Sequence, residues 1–198
     1  SCEDATDIRQ PGVLDASSAI QSLDDMEDAL INAYTGMFVT AEMHFTSVFT
    51  DEIRIGFDSG GQGQSLYRFN LASNNSGPSN VWRNNYSSMR RANLVIDAAA
   101  TIDATGDETR RDNIVGQAHA IRAWQHLQLA SLYIVDMSDD ASLGVPVVDF
   151  VTGTNYAALR NTTGETFGLI YDDLDTAASL ISANSGTIFF SKDAARAL

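Results

Sequence analysis

Apolar positions in residues 112–135, DNIVGQAHAIRAWQHLQLASLYIV, fall at helical spacing. Ile114, Ala118, Ile121, Trp124 (or Gln125) and Leu127 recur on one side, and the apolar surface widens through Leu129, Ala130, Leu132, Tyr133, Ile134 and Val135. A helix apolar over much of its circumference is buried on several sides rather than lying on a surface. The segment therefore predicts the central helix of a helical domain. His119, Arg122, Gln125, His126 and Gln128 make it too polar for a membrane span, which needs about 20 largely apolar residues.

The same periodicity predicts helices on either side. A first helix over 22–38 has Ser22 and Asp25 as a capping pair and Met26, Leu30, Ala33, Tyr34 and Met37 as its stripe. A shorter piece covers 41–49. Ser79 is read as the cap of a helix over 80–102, with Trp82, Tyr86, Met89, Asn93 and Ile96 on one face. Asn93 falls within that apolar seam, so its amide needs partners. Thr105-Gly106-Asp107 makes the turn into the central helix, giving an antiparallel pair. Thr162 with Glu165 is a capping box for a helix over 163–182, striped by Phe167, Ile170, Tyr171, Leu174, Ala177, Ala178 and Ile181. Asp172, Asp173 and Asp175 fall largely off that stripe and read as a solvated face. Ser191 caps a last helix in which the sequence stops, which suggests the N-terminal portion of something longer.

Two segments break the pattern. Residues 1–21 read as an extended lead-in around Pro11-Gly12, ahead of a domain over 22–198. Residues 50–78 hold five glycines with several Asn and Ser. A connection of that length is functional or disordered, and Phe57, Tyr67 and Phe69 argue against disorder. This is the candidate functional loop.

Composition narrows the function. A net charge of −14 and a pI near 4.3 argue against a nucleic-acid partner, which needs clustered Lys and Arg. The single cysteine, Cys2, excludes an internal disulfide and a Cys-based zinc site. Its terminal place before Glu3-Asp4 reads as a lipidation site of a bacterial lipoprotein, with an arbitrary terminal cysteine as the alternative.

Motifs for catalysis are missing. His119 and His126 are seven apart with Arg122 between them, but neither the Glu-x-x-His of di-iron bundles nor the His-Glu-x-x-His of zinc proteases occurs. There is no G-x-S-x-G elbow and no phosphate-binding loop, and Gly60-Gly61-Gln62-Gly63 lacks the following lysine. Asp136, Ser138 and Asp140 begin a calcium-loop spacing, but Ala141 stands where the glycine belongs and Val147 where the final Glu belongs. A looser calcium site or a plain polar turn remain for that segment. No enzyme, cofactor or metal site is expected.

Several pieces recur in a fixed order along the chain: Cys2 with its acidic followers, Ala33-Tyr34, Thr50-Asp51-Glu52, and Trp82-x3-Tyr86 with Ala92-Asn93-x2-Ile96. Then come Gly116-x-Ala118-x2-Ile121-Arg122-Ala123, Leu132-Tyr133, Gly144-Val145-Pro146-Val147, Arg160-Asn161-Thr162 with Glu165, Asp173-Leu174, and Ser191-Lys192-Asp193-Ala194-Ala195. In that order and spacing they resemble the SusD/RagB-like outer-membrane lipoproteins of Bacteroidetes-type bacteria. Ile134 departs from the glycine usual after the Leu-Tyr, and family members run to about twice this length.

The resemblance implies an all-α fold of paired antiparallel helices in a divergent tetratricopeptide-like arrangement. It also implies a lipid-anchored, cell-surface outer-membrane protein. Such a protein captures a glycan or other nutrient and passes it to a TonB-dependent, SusC-like transporter. In the family, ligand contacts often come from the loop after the Thr-Asp-Glu segment, which here includes Phe57, Asp58, Gln62, Gln64 and Tyr67. Sugar binding needs flat aromatic faces and planar polar groups. Phe57 and Tyr67 supply faces, and Arg54, Asp58, Gln62 and Arg68 supply hydrogen bonds; alternatively the aromatics pin the loop to the helices. The competing functional reading is a helical-repeat scaffold or self-assembling protein without a small ligand.

Overall fold

The computed structural model describes residues 19–37, 39–50, 52–72, 75–152, 156–182 and 189–198. The expected lead-in up to residue 18, including Cys2, and the expected helix end at Phe38 lie outside these residues. Among the described residues the chain is all-α. In order, the helices are α1 Leu23–Thr35, α2 Thr40–Phe49, α3 Gln64–Tyr67, α4 Ser76–Ala98, α5 Glu108–Tyr133, α6 Thr163–Leu180 and α7 Lys192–Ala197. Extended pairing among the described residues amounts to a single antiparallel bridge between Leu143 and Thr162.

Helix starts follow local chemistry. The Ser22 side chain accepts from the Asp25 amide, and Ser191 accepts from Ala194 in the same way. Both halves of the Thr162–Glu165 capping box form. α4 differs from expectation: its cap is Asn75, whose side chain accepts from the Gly77 amide, so the helix begins four residues before position 80. Pro78 then lies in the first turn, where a missing N–H costs no hydrogen bond. α5 also begins before its apolar pattern. Arg110, in that polar first turn, is paired with Asp24 and Glu27 of α1, so ion pairs rather than burial hold it.

Contacts define the directions. From the start of α4 to its end, Trp82 meets Tyr133, Ser88 meets Gln125, and Asn93 meets Arg122, so α4 and α5 are antiparallel. α6 is antiparallel to α5, with Gly116 against Leu180 and Ile181 and Arg122 against Asp173. α1 is antiparallel to α4 through Ala33–Ser88 and Asn32–Arg91, and it runs parallel to α5 through Asp24–Arg110 and Tyr34–Gln117. α5 thus touches α1, α4 and α6, and it is the central helix.

The main core joins Leu23, Met26, Leu30 and Ala33 of α1 to Ala92 and Val95 of α4 and to Ile114, Ala118 and Ile121 of α5. Each of the larger side chains among them, Leu, Met, Ile and Val, contributes about 1.5–3 kcal/mol on burial. A second cluster packs Met89, Leu129, Ala130 and Ile134 under Val145 and Val148. On α6 the buried face runs Thr163, Thr166, Ile170, Asp173, Ala177, while Tyr171 is exposed. The expected stripe is therefore rotated, and Asp173, expected on a solvated face, is 2% exposed. No helix among the described residues is long and apolar enough to cross a membrane.

Candidate functional site

The loop after α2 is shaped by its glycines. Gly60, Gly61 and Gly63 have φ of 60°, 85° and 72°, a region open to glycine and strained for other residues. The chain then makes the single turn of α3, which the sequence pattern did not predict. Leu66 is buried, the Asn70 amide donates to the Ser65 carbonyl at 2.8 Å, and Phe69 sets its edge on Phe49 with centroids 5.2 Å apart.

These contacts separate residues that pin the loop from residues that are free. Phe57 is fully exposed, so it does not anchor the loop. Arg54, Asp58, Gln62 and Arg68 are exposed, and their side chains make no hydrogen bond to a described residue. Gln64 and Tyr67 are half-buried on α3. Between this loop, α2 and the start of α4 lies an open cavity of about 680 Å³, lined by His44, Ser65, Leu66, Asn75, Asn80 and Asn84 among others. Residues 50–78 contribute Gly63, Ser65, Leu66, Asn75, Ser76 and Gly77 to it, and the seven loop residues singled out from the sequence are not in its lining. The signal for Asn80 and Asn84 was their four-residue spacing, which stacks two amides on one helix face.

A second, aromatic cleft of about 900 Å³ lies farther along α4. Trp82, Arg83, Tyr86 and Arg90 of α4 line it with Tyr133 and Tyr156. The Trp82 ring lies 5.0 Å from both Tyr86 and Tyr133, the latter edge-on. Tyr86 donates its hydroxyl proton to the Pro146 carbonyl at 2.8 Å, and Tyr133 donates to that of Pro78 at 2.6 Å. Burial raises the Tyr86 hydroxyl above its ordinary pKa against the opposing charge of Arg160, and it pushes Tyr133 up to about 12. Both stay neutral donors. Trp82 and Tyr86, expected on one apolar face of α4, pack against the second core cluster, and their outer edges also wall the cleft.

A buried polar network joins α4, α5 and α6. Arg122 donates from Nε and Nη2 to the two Asp173 oxygens at 2.7 and 2.6 Å, and His119 Nδ1 shares one of them at 2.7 Å. Burial alone would raise the Asp173 carboxyl. The hydrogen bonds from Arg122 and His119, with the Arg122 charge, outweigh it and hold the carboxyl below its ordinary range. The remaining Arg122 nitrogen donates to Asn93 Oδ1 and to the Asp149 carbonyl, both at 2.9 Å. Asn93 in turn donates to the carbonyls of Val148 and Phe150 at 3.0 and 2.8 Å. His126 donates from Nδ1 to the Arg122 carbonyl at 3.0 Å, and its Nε2 accepts the Val148 amide at 3.3 Å. The network ties the extended segment 143–150 to α4 and α5 and joins α5 to α6.

A guanidinium already neutralises Asp173. Asp136 accepts from the Ser138 amide and hydroxyl, and Asp139 accepts from the Ala141 amide, so the 136–141 segment is a turn closed by its own side chains. Among the described residues no group of three or more His, Cys, Asp or Glu is placed to hold a metal ion.

Residues 9–198 match the SusD-like family described as starch-binding and associating with the outer membrane. The chain belongs to this SusD-like family. Solved structures similar to this SusD-like chain include a SusD superfamily protein from Bacteroides vulgatus ATCC 8482, with TM-score 0.75 and 24% identity over 90% of this chain and 42% of that one. A SusD-like carbohydrate binding protein from the same source superposes with TM-score 0.68 at 19% identity, over 89% of this chain and 40% of that one. A laminarin binding SusD-like protein gives TM-score 0.70 at 16% identity, over 90% and 39%. At these identities the likeness establishes the fold. The SusD-like chain spans about two-fifths of the length of the structures it matches. No curated protein matches the sequence.

Proposed function

We propose that this SusD-like protein is a lipid-anchored binding protein of the outer-membrane surface, which captures a glycan and passes it to a TonB-dependent, SusC-like transporter without chemical turnover. The observation that carries the reading is the family match over residues 9–198, whose description is starch-binding and outer-membrane associated. The loop supplies the physical means. Phe57 offers an uncovered aromatic face, and Arg54, Asp58, Gln62 and Arg68 hold hydrogen-bonding groups that no described residue occupies. An amide- and hydroxyl-lined cavity adjoins the same loop. Saccharides are bound by such pairings of flat apolar faces with a few placed polar groups. Gln64 and Tyr67, half-buried on α3, set the loop's base.

Within this reading Cys2 carries the lipid, residues 1–21 lead from the membrane, and residues 22–198 form the helical portion of a longer protein of the length its relatives have. A glycan array probed with the protein, its Phe57→Ala variant and its Tyr67→Ala variant tests it. Saccharide binding weakened about tenfold or more by Phe57→Ala is the expected result, as aromatic stacking is worth on the order of 1–3 kcal/mol. Binding unchanged in both variants would overturn the loop assignment, and binding to no saccharide would overturn the function.

A further inference from the structure

The cleft on α4 has a charge opposite to that of the chain around it. The sequence carries 26 carboxylate side chains against 12 Lys and Arg. Yet the lining of this 900 Å³ cleft includes Arg83 and Arg90 and no carboxylate. Both arginines are exposed. Arg83 has no hydrogen bond or ion pair with a described residue, and Arg90 reaches only the Thr152 carbonyl, at 3.4 Å, among the described residues. Structural arginines elsewhere in this chain are consumed by partners, as Arg122 is by Asp173 and Arg110 by Asp24. These two are not.

Position gives them a spacing. Residues 83 and 90 are two helical turns apart on one face of α4, about 10 Å along the axis at 1.5 Å per residue. Tyr86 lies between them. Trp82 and Tyr133 form the floor, and Tyr156, 48% exposed, stands across the cleft. The rings are held in place: the Tyr86 and Tyr133 hydroxyls are tied to backbone carbonyls, and Tyr156 packs edge-on against Phe150. A flat ligand with C–H faces and anionic groups repeating at about the length of a disaccharide meets all of these features at once.

We propose that this cleft, which takes only Ala72 and Pro78 from the 50–78 segment and none of the seven loop residues named above, is a second saccharide site, and that it selects glycans bearing carboxylate or sulfate groups. The inference rests on the glycan-binding reading above and adds a charge class to it. The aromatic floor takes the ring faces, and each guanidinium takes one anionic group through paired N–H donors, the geometry in which arginine is strongest. The overall negative charge does not forbid this, because screening acts over about 8 Å at physiological salt and leaves the local arginines to decide. A nucleic acid, with a phosphate at every residue, would meet too few cations here.

The test uses oligogalacturonate, the same oligomer with its carboxyl groups reduced to alcohols, and poly-glutamate. Binding is read from Trp82 fluorescence in a Trp124→Phe background and by calorimetry. Saturable binding of oligogalacturonate, weakened by added salt and by about tenfold or more in the exposed-site variant R83E/R90E, is the expected result. Loss of oligogalacturonate binding in Phe57→Ala but not in R83E/R90E would put that ligand in the loop and overturn the proposal. Equal affinity for the reduced oligomer, no effect of R83E/R90E, or equally tight binding of poly-glutamate would each overturn the proposal, the last by making the cleft a peptide site. If a neutral glycan binds in a Phe57-dependent manner and oligogalacturonate does not bind, this proposal alone fails. If no saccharide of either kind binds, the reading it rests on fails with it.

Discussion

Three aspartates on α6, Asp172, Asp173 and Asp175, look alike in sequence, yet Asp173 is buried while the other two stay at the surface. Removing the Asp173 carboxylate strands the Arg122 guanidinium without its counter-charge, so Asp173→Ala is expected to cost about 3–5 kcal/mol in urea unfolding. Asp172→Ala should change stability by no more than about 0.5 kcal/mol in the same measurement. His126 makes a second residue-scale prediction. Burial lowers its pKa to about 4, and its Nε2 must stay unprotonated to accept the Val148 amide. Between about pH 6.5 and about 4 the unfolded chain takes up a proton that the folded chain refuses, so stability falls as pH falls across that window. The loss is at most about 3 kcal/mol. Asp173, held below its ordinary range, adds a further loss in stronger acid. Unfolding free energies measured across the window check this, and His126→Gln should flatten the slope there, since a glutamine does not titrate.

At the scale of elements, two glycines set how closely segments approach. A Cβ on Gly144 would lie 2.5 Å from the Thr162 carbonyl oxygen, where segment 143–150 bridges to the start of α6. A Cβ on Gly116 would lie 2.8 Å from Ile181 Cγ1 and 3.0 Å from Leu180 Cβ, at the α5–α6 contact. Gly116→Ala meets mainly side-chain atoms and gains about 1 kcal/mol of helix propensity. Gly144→Ala meets a backbone carbonyl that cannot move aside. Overpacking costs about 1–3 kcal/mol, so thermal unfolding should rank Gly144→Ala as clearly the more destabilised of the two. Helix ends were legible in sequence where a side chain caps locally, as at Ser22, Thr162 and Ser191. They were not where two caps competed: Asn75 begins α4 ahead of Ser79 because Gly77 and Pro78 fit the first turn. The start of α5 was legible from its turn: Asp107, the last residue of Thr105-Gly106-Asp107, is the N-cap.

For the molecule as a whole, function is expected to be separable from stability. Phe57→Ala removes an aromatic ring that packs on nothing, so its unfolding free energy should stay within about 0.5 kcal/mol of the parent while glycan affinity falls. The tether is testable apart from the fold. Mass spectrometry of the protein from its own membrane should find Cys2 carrying a diacylglyceryl group, and Cys2→Ser should leave the membrane fraction. An unmodified Cys2 in membrane-extracted protein would remove the anchor from the proposal. Two or more acyl chains are needed for stable attachment, which a diacylglyceryl group supplies.

Sequence by itself determined the helical class, the central place of α5, the capping residues that act within one turn, and membership of the SusD-like family. These are carried by periodicity, by spacings of three or four residues, and by short motifs in order. It also marked the 50–78 loop as exceptional without saying which of its aromatics face solvent. Tertiary structure decided the burial of Asp173, whose partner Arg122 lies 51 residues away. It decided the role of Asn93, whose acceptors Val148 and Phe150 lie 55 and 57 residues on. The cleft, too, exists only because α4, the end of α5 and Tyr156 meet. A helical pattern fixes which side of a helix is apolar, but whether a charge or a ring edge on that helix is covered depends on what the rest of the chain lays against it.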